Sequence, residues 1–227
     1  MEPTDGGTGV SVTLAEEIML LSLDDGSGAV RERQACQWAV AGGIVLDLVF
    51  AARVSVDGGR ITVHGTAPTG VGLLDGRLGM IGTWAAGRSR PPKVTAWLAK
   101  DHRKALDAAV ESLRERGLVG EEERKVLGMF PLRRFPEVDG TAESELRARL
   151  AGVVLRHEEP DDRTAGLVAL LHGARLHRLA FPGLPRREVV PRMRRISEGQ
   201  WAGESVRKAI REMQSAMTPV ALVTMRS

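Results

Sequence analysis

The stretch from Gln34 to Val49 constrains the fold most, because Asp47 is its only charge. Trp38, Val40, Ile44, Val45, Leu48 and Val49 recur at helical spacing across residues 32–51. A helix this apolar has to be covered by other elements on most sides. Ala41, Gly42 and Gly43 lie in its middle, where small side chains let a second helix come close. The segment is too short to span a bilayer. It is expected to be the central helix of a bundle.

The elements around it follow from local signals. Thr13-Leu-Ala-Glu16 is a capping box, in which the Thr13 hydroxyl accepts from a backbone N–H and Glu16 reaches back. Ile18, Met19, Leu20 and Leu21 supply the buried stripe of that first helix, and Asp24-Asp25-Gly26 stops it. Val54-Ser-Val56, Asp57-Gly-Gly-Arg60 and Ile61-Thr-Val63 alternate around a turn and predict a β-hairpin. Beyond Gly70 the helical period returns, with helices expected near 71–82, 92–99, 101–116, 141–156, 162–178, 186–196 and 201–217. Pro91-Pro92 is expected to open one of them and Pro219 to close the last. The expected fold class is all-α: a single-domain helical bundle around a central apolar helix, with two minor β-hairpins. The polar, glycine-rich residues 1–11 read as a disordered leader, and 12–227 as the domain.

Charge is unevenly distributed. Residues 1–60 hold four Arg/Lys against nine Asp/Glu, a net of −5, so with +3 for the whole chain the remainder carries +8. Arginine is concentrated at 102–116, 124–134 and 186–195. Such a chain suits an anionic partner on one side. Cys36 is the only cysteine, which excludes an intrachain disulfide and fits a reducing compartment.

No constellation for catalysis emerges. His64, His102, His157, His172 and His177 do not form the i, i+4 zinc pattern. Gly70-Val-Gly72-Leu-Leu-Asp-Gly76 lacks both the spacing of a dinucleotide loop and a P-loop lysine. Cys36 and the tryptophans 84, 97 and 201 read as packing residues. The expectation is a non-enzymatic protein without metal or cofactor.

The segment Arg124-Lys-Val-Leu-Gly-Met-Phe-Pro-Leu-Arg-Arg-Phe135 is different in kind. An apolar run with Leu127, Met129, Phe130 and Leu132 is set between basic pairs, Arg124/Lys125 and Arg133/Arg134. Gly128 and Pro131 disfavour a helix and favour two short arms around a turn. Two binding readings remain. In a winged-helix reading, Arg103, Lys104, Arg114 and Arg116 would contact nucleic acid and Arg133 and Arg134 would sit in the wing. In a membrane reading the four apolar side chains, half inserted, contribute on the order of 3–6 kcal/mol. Each basic neighbour adds about 1 kcal/mol near an anionic leaflet. The apolar tip favours the membrane; a fold-back of the tip into the core or a dimer is the bland alternative.

Three further motifs carry a resemblance. Thr13-Leu-Ala-Glu-Glu-Ile-Met-Leu-Leu-Ser-Leu-Asp-Asp25, Ala67-Pro-Thr-Gly70 with Leu73-Leu-Asp75, and Arg116-Gly-Leu118 before the hairpin together resemble the Golgi phosphoprotein 3 family across roughly residues 12 to 217. The Ala/Arg/Gly-rich composition is similar to that of a bacterial, actinobacterial member. The resemblance implies a mostly helical domain and peripheral attachment to membranes through phosphatidylinositol 4-phosphate. It also implies an apolar hairpin dipping into the bilayer, here between Arg124 and Pro136. Eukaryotic members also bind the cytosolic tails of membrane enzymes. The family's headgroup pocket uses a tryptophan and an arginine on the second helix and two arginines three apart on the helix before the hairpin. These positions align with Glu32 or Arg33, with Ala41, and with Arg103 and Leu106. One of the four is kept, Arg103, and Arg31 or Arg33 would substitute at the site.

The resemblance thus gives a set of expectations. Arg103, Arg33 and Arg31 would hold the lipid headgroup. Leu127, Met129, Phe130 and Leu132 would insert, flanked by Arg124, Lys125, Arg133 and Arg134. Partners would be an anionic phospholipid surface and, as a second class, cytosolic tails of membrane proteins, with nucleic acid as the runner-up. The chain would act in the cytoplasm as a monomer or weak homo-oligomer, reversibly bound to the inner face of the cell membrane.

Overall fold

Thr13 starts the first helix as the capping box requires: its side chain accepts from the Glu16 N–H while Glu16 accepts from the Thr13 N–H at 2.6 Å. In the computed structural model, residues 12–24, 28–120, 122–126, 130–134, 138, 140–199 and 204–223 are described. Helix α1 (Leu14–Ser22) is buried along its whole length, not on one stripe. Helix α2 (Arg33–Phe50) follows and is the central helix the sequence predicts, touching α1, the first hairpin and four of the helices described below. Gly43 gives α1 its place, since a Cβ there would lie 3.0 Å from the Ala15 amide nitrogen.

Strands β1 (Val54–Asp57) and β2 (Arg60–Val63) form the first hairpin, with Val54 opposite Val63 and Asp57 opposite Arg60. Gly58 and Gly59 make the turn at φ +53° and +70°, the left-handed backbone that a two-residue hairpin turn needs. Val56 and Ile61 fix the hairpin to the core. Helix α3 (Gly72–Ala85) comes next. Its start is clasped by Asp75, whose Oδ1 accepts from the Thr69 amide at 2.6 Å and the Thr69 hydroxyl at 2.7 Å. That clasp holds the carboxylate of Asp75 below its ordinary range.

Helix α4 (Val94–Glu115) runs unbroken for 22 residues. Two helices, near 92–99 and 101–116, are expected here, the first opened by the prolines. Asp101 instead turns inward and meets Arg77 at 2.7 Å, so the polar run leaves the helix intact, and the helix begins two residues after Pro92. Strands β3 (Glu122–Val126) and β4 (Phe130–Arg134) form the second hairpin.

The remaining helices are α5 (Thr141–Leu155), α6 (Asp162–Gly173), the short α7 (His177–Ala180), α8 (Arg186–Glu198) and α9 (Glu204–Val223). The expected 162–178 helix is therefore two pieces, with Arg175 between them at a left-handed φ of 60°. Pro219 does not close the last helix, which continues to Val223, and Pro191 likewise lies inside α8. A proline inside a helix forfeits one backbone bond, so the residue alone does not fix where a helix stops. The all-α bundle with two minor hairpins is the fold observed.

The motif around Thr13 is a buried polar network that ties the bundle together. Glu16 accepts from the Ser112 hydroxyl at 2.7 Å and pairs with Arg116 at 2.7 Å. Glu17 pairs with Arg149 at 2.6 Å. Asp47 of α2 accepts the Leu14 N–H at 2.7 Å and pairs with Arg163 at 2.6 Å. Burial is offset here by multiple charge-assisted bonds, the condition under which buried ions are tolerated.

Candidate functional site

The seam between α2 and α4 carries the arginines expected to hold a headgroup. Helix α2 begins at Glu32, whose φ of 48° is left-handed and whose side chain makes no cap. The first turn has no acidic residue, and no side chain caps this N-terminus. Such an end favours an anion through its N–H groups and the helix dipole. Arg31 stands immediately before it, with a buried Nε that has no hydrogen-bond partner among the described residues. Arg33 reaches across to Asp107 of α4 at 3.4 Å, both side chains more than half exposed. Arg103 is exposed one helical turn before Asp107. Between them, Trp38 stacks on His102 with ring centroids 4.7 Å apart.

The structure thus puts Arg33 and Arg103 on one α2/α4 surface with Arg31 at its edge. Ala41 and Leu106, the two other aligned positions, are each 1 % exposed and belong to the core. Neither can present a side chain to a ligand on this surface. Cys36 is likewise a core residue: burial pushes its thiol up to about 12, and the thiol donates to the Arg31 carbonyl at 3.3 Å.

The second hairpin is rooted where α4 ends. Gly117 turns the chain at φ +70°, and the Val138 amide returns to the Leu118 carbonyl at 3.1 Å. The backbone register sets Glu122 against Arg134, Glu123 against Arg133, Arg124 against Leu132, Lys125 against Pro131 and Val126 against Phe130. The two arms expected on either side of Gly128 are therefore present, with Pro131 inside the second. Pro131 is compatible with an edge strand, since a two-stranded ribbon has only edges. Leu127 and Met129 lie outside the described residues, and Arg124, Lys125, Phe130, Leu132, Arg133 and Arg134 are fixed here by register alone.

The other basic clusters have internal work. Arg116 is bonded to buried Glu16, and Arg114 pairs with Glu111 on its own helix. Of the contacts that the winged-helix reading assigns to nucleic acid, Arg116 is therefore spent inside the domain, whereas the Arg114 pair lies at the surface, and α4 itself is packed on α1 and α2. In α8, Arg192 donates to the Val153 carbonyl at 3.1 Å and Arg194 pairs with Glu198 at 2.8 Å. Burial keeps the imidazoles of His172 and His177 below their ordinary range. Among the described residues no group of His, Cys, Asp and Glu could hold a metal ion.

A cleft of about 570 Å³ that the sequence alone does not predict lies between α3 and α4, walled by Trp84, Trp97 and Met80 and edged by Lys100 and Lys104. Its signal was available in the glycines at 76 and 79 and the lysines at 100 and 104. Each pair lies three or four residues apart, on one face of a helix.

Among the described residues no helix is long and apolar enough to cross a membrane. These elements define a class: a mostly helical domain around a buried apolar helix, with a basic-flanked hairpin following the fourth helix. A family model described as Golgi phosphoprotein 3 (GPP34) matches residues 14–213, and the chain belongs to that family. A search of curated proteins returned no match.

Proposed function

We propose that this protein acts by binding, without catalysis, as a peripheral protein of an anionic membrane surface on the cytoplasmic side. The α2/α4 surface takes the headgroup, of the phosphatidylinositol 4-phosphate kind: the bare N-terminus of α2 and Arg31, Arg33 and Arg103 meet its phosphate. The hairpin from Glu122 to Arg134 then inserts its apolar tip. The observation that carries the reading is the uncapped start of α2 beside the exposed Arg33 and Arg103, within a chain of this family. A single phosphate there would satisfy backbone donors and guanidinium donors together.

Co-sedimentation with vesicles of phosphatidylcholine, with and without phosphatidylinositol 4-phosphate or phosphatidylserine, tests it. Charge reversal by Arg33→Glu or Arg103→Glu is expected to weaken binding to anionic vesicles roughly tenfold, from about 1 kcal/mol for the lost attraction plus the repulsion introduced. Met129→Asp and Phe130→Asp are expected to weaken it through the lost apolar term. Binding unchanged in all four variants would remove both halves of the mechanism.

A further inference from the structure

We infer that the cleft between α3 and α4 is a binding site for a single-chain anionic amphiphile: an apolar body with one carboxylate or similar anion at its end. The site is independent of the α2/α4 headgroup surface and of the hairpin.

The walls are apolar and carry aromatic rings. Trp84 and Trp97 meet with centroids 5.4 Å apart and planes tilted by 51°. Trp97 is buried at 2 %, while Met80 stands 47 % exposed beside them, one of the few large apolar side chains left open among the described residues. A thioether next to indoles is an adaptable apolar surface, and water gains nothing from it. The volume, about 570 Å³, lies within the usual range of ligand sites. It suits one short chain better than the two of a diacyl phospholipid.

The α3 wall is made of absent side chains. A Cβ added at Gly76 or at Gly79 would meet nothing within 4 Å, so neither glycine is required by packing inside the folded chain. Neither has a positive φ that would require glycine. Each costs the helix about 0.5–1 kcal/mol relative to alanine. What the two glycines provide is the width of the cleft.

The rim is cationic. Lys100 and Lys104 stand exposed one turn apart, an arrangement in which like charges repel. Neither takes part in an ion pair among the described residues. The one acid lining the cleft, Asp101, is committed to Arg77 at 2.7 Å, with both side chains buried. Arg77 uses its other amine on the Lys104 carbonyl at 2.5 Å. The rim therefore carries positive charge left over after its internal pairing, next to apolar walls. That combination selects a molecule with an anionic end and an apolar body, and it disfavours a neutral chain or a bare anion.

Tryptophan fluorescence of the full chain, titrated with monomeric decanoate in the absence of vesicles, tests the site. Decanoate is expected to give a saturable change, with decanol and acetate each at least about tenfold weaker because each supplies only half of the recognition. The double variant Lys100→Gln/Lys104→Gln is expected to weaken decanoate about tenfold and to leave decanol unchanged. Gly79→Leu fills the cleft from a position with free space and is expected to abolish the response while melting no lower than the parent chain. The same variant is expected to sediment with anionic vesicles as the parent does, which separates this site from the proposed membrane function. A decanoate response retained in Gly79→Leu would overturn the inference. So would a decanol response equal to that of decanoate, or an equal response to acetate.

Discussion

At the scale of single residues, Asp47 is an acid set inside the apolar central helix. It breaks an apolar run, and burial raises its carboxyl from 3.8 to about 6, against the opposing pull of Arg163 and the Leu14 N–H. Below about 3.8 the group is neutral in folded and unfolded chains, and above about 6 it is charged in both. Between those values the folded chain holds the extra proton, so Asp47 makes stability fall as pH rises through that window. Melting temperatures followed from pH 4 to 7 are expected to show this decline, and Asp47→Asn to flatten it. An identical slope in both proteins would show that Asp47 does not titrate there. None of this was legible locally, because its partners lie 33 and 116 residues away. The Thr13–Glu16 box was legible, since both members lie within one helical turn.

Among elements, the contact between α1 and α2 depends on a hydrogen atom. Gly43 faces the α1 backbone, which cannot rotate away, whereas Gly42 faces the flexible end of Met217 at 2.8 Å. Gly43→Ala is therefore expected to destabilise by about 1–3 kcal/mol through overpacking, and Gly42→Ala by less. Urea unfolding of the two variants checks the order, and equal losses would contradict it. The small residues of α2 had signalled such an approach, though without showing that Gly42 and Gly43 serve different neighbours. Helix boundaries were harder to read. The polar run at Lys100-Asp101 looks like a gap until Arg77 is seen to receive it, and Pro219 looks like a stop although the helix passes through it. Periodicity reports which face of a segment is apolar, whereas a break depends on partners elsewhere in the chain.

Over the whole molecule, charge and shape divide the chain into parts. Three acids of the first quarter, Glu16, Glu17 and Asp47, are consumed in the internal network, each bonded to an arginine from later in the sequence. The cations left at the surface include Arg103, Lys100 and Lys104 on the open side of α4. Binding to anionic vesicles is accordingly expected to weaken roughly tenfold or more from low ionic strength to about 0.5 M salt, as screening shortens the reach of these charges. Vesicle sedimentation across a salt series measures this, and salt-independent binding would assign the attachment to apolar insertion alone. At this scale the helical bundle and the hairpin arms could be read from pattern. The α2/α4 surface proposed to take a headgroup could be read only in part, because two aligned positions, Ala41 and Leu106, belong to the core. The α3/α4 cleft shows in the sequence only as two spaced pairs, glycines 76 and 79 and lysines 100 and 104, and the way α3 packs beside α4 decides that they face one another.

Helix α4 is held at both ends. At its start, the Ile61 amide donates to the Pro92 carbonyl at 2.9 Å and the Val94 amide to the Gly59 carbonyl at 2.8 Å. At its finish, the chain turns at Gly117 and runs on into the second hairpin. A 22-residue helix is a spar about 33 Å long. Whatever seats the second hairpin therefore sets the attitude of the domain as a rigid lever, with the first hairpin as its far end. Polarity-sensitive dyes attached at Glu122 and at Thr62 would read opposite ends of that lever. A domain that docks in one orientation would give each dye a single, reproducible depth.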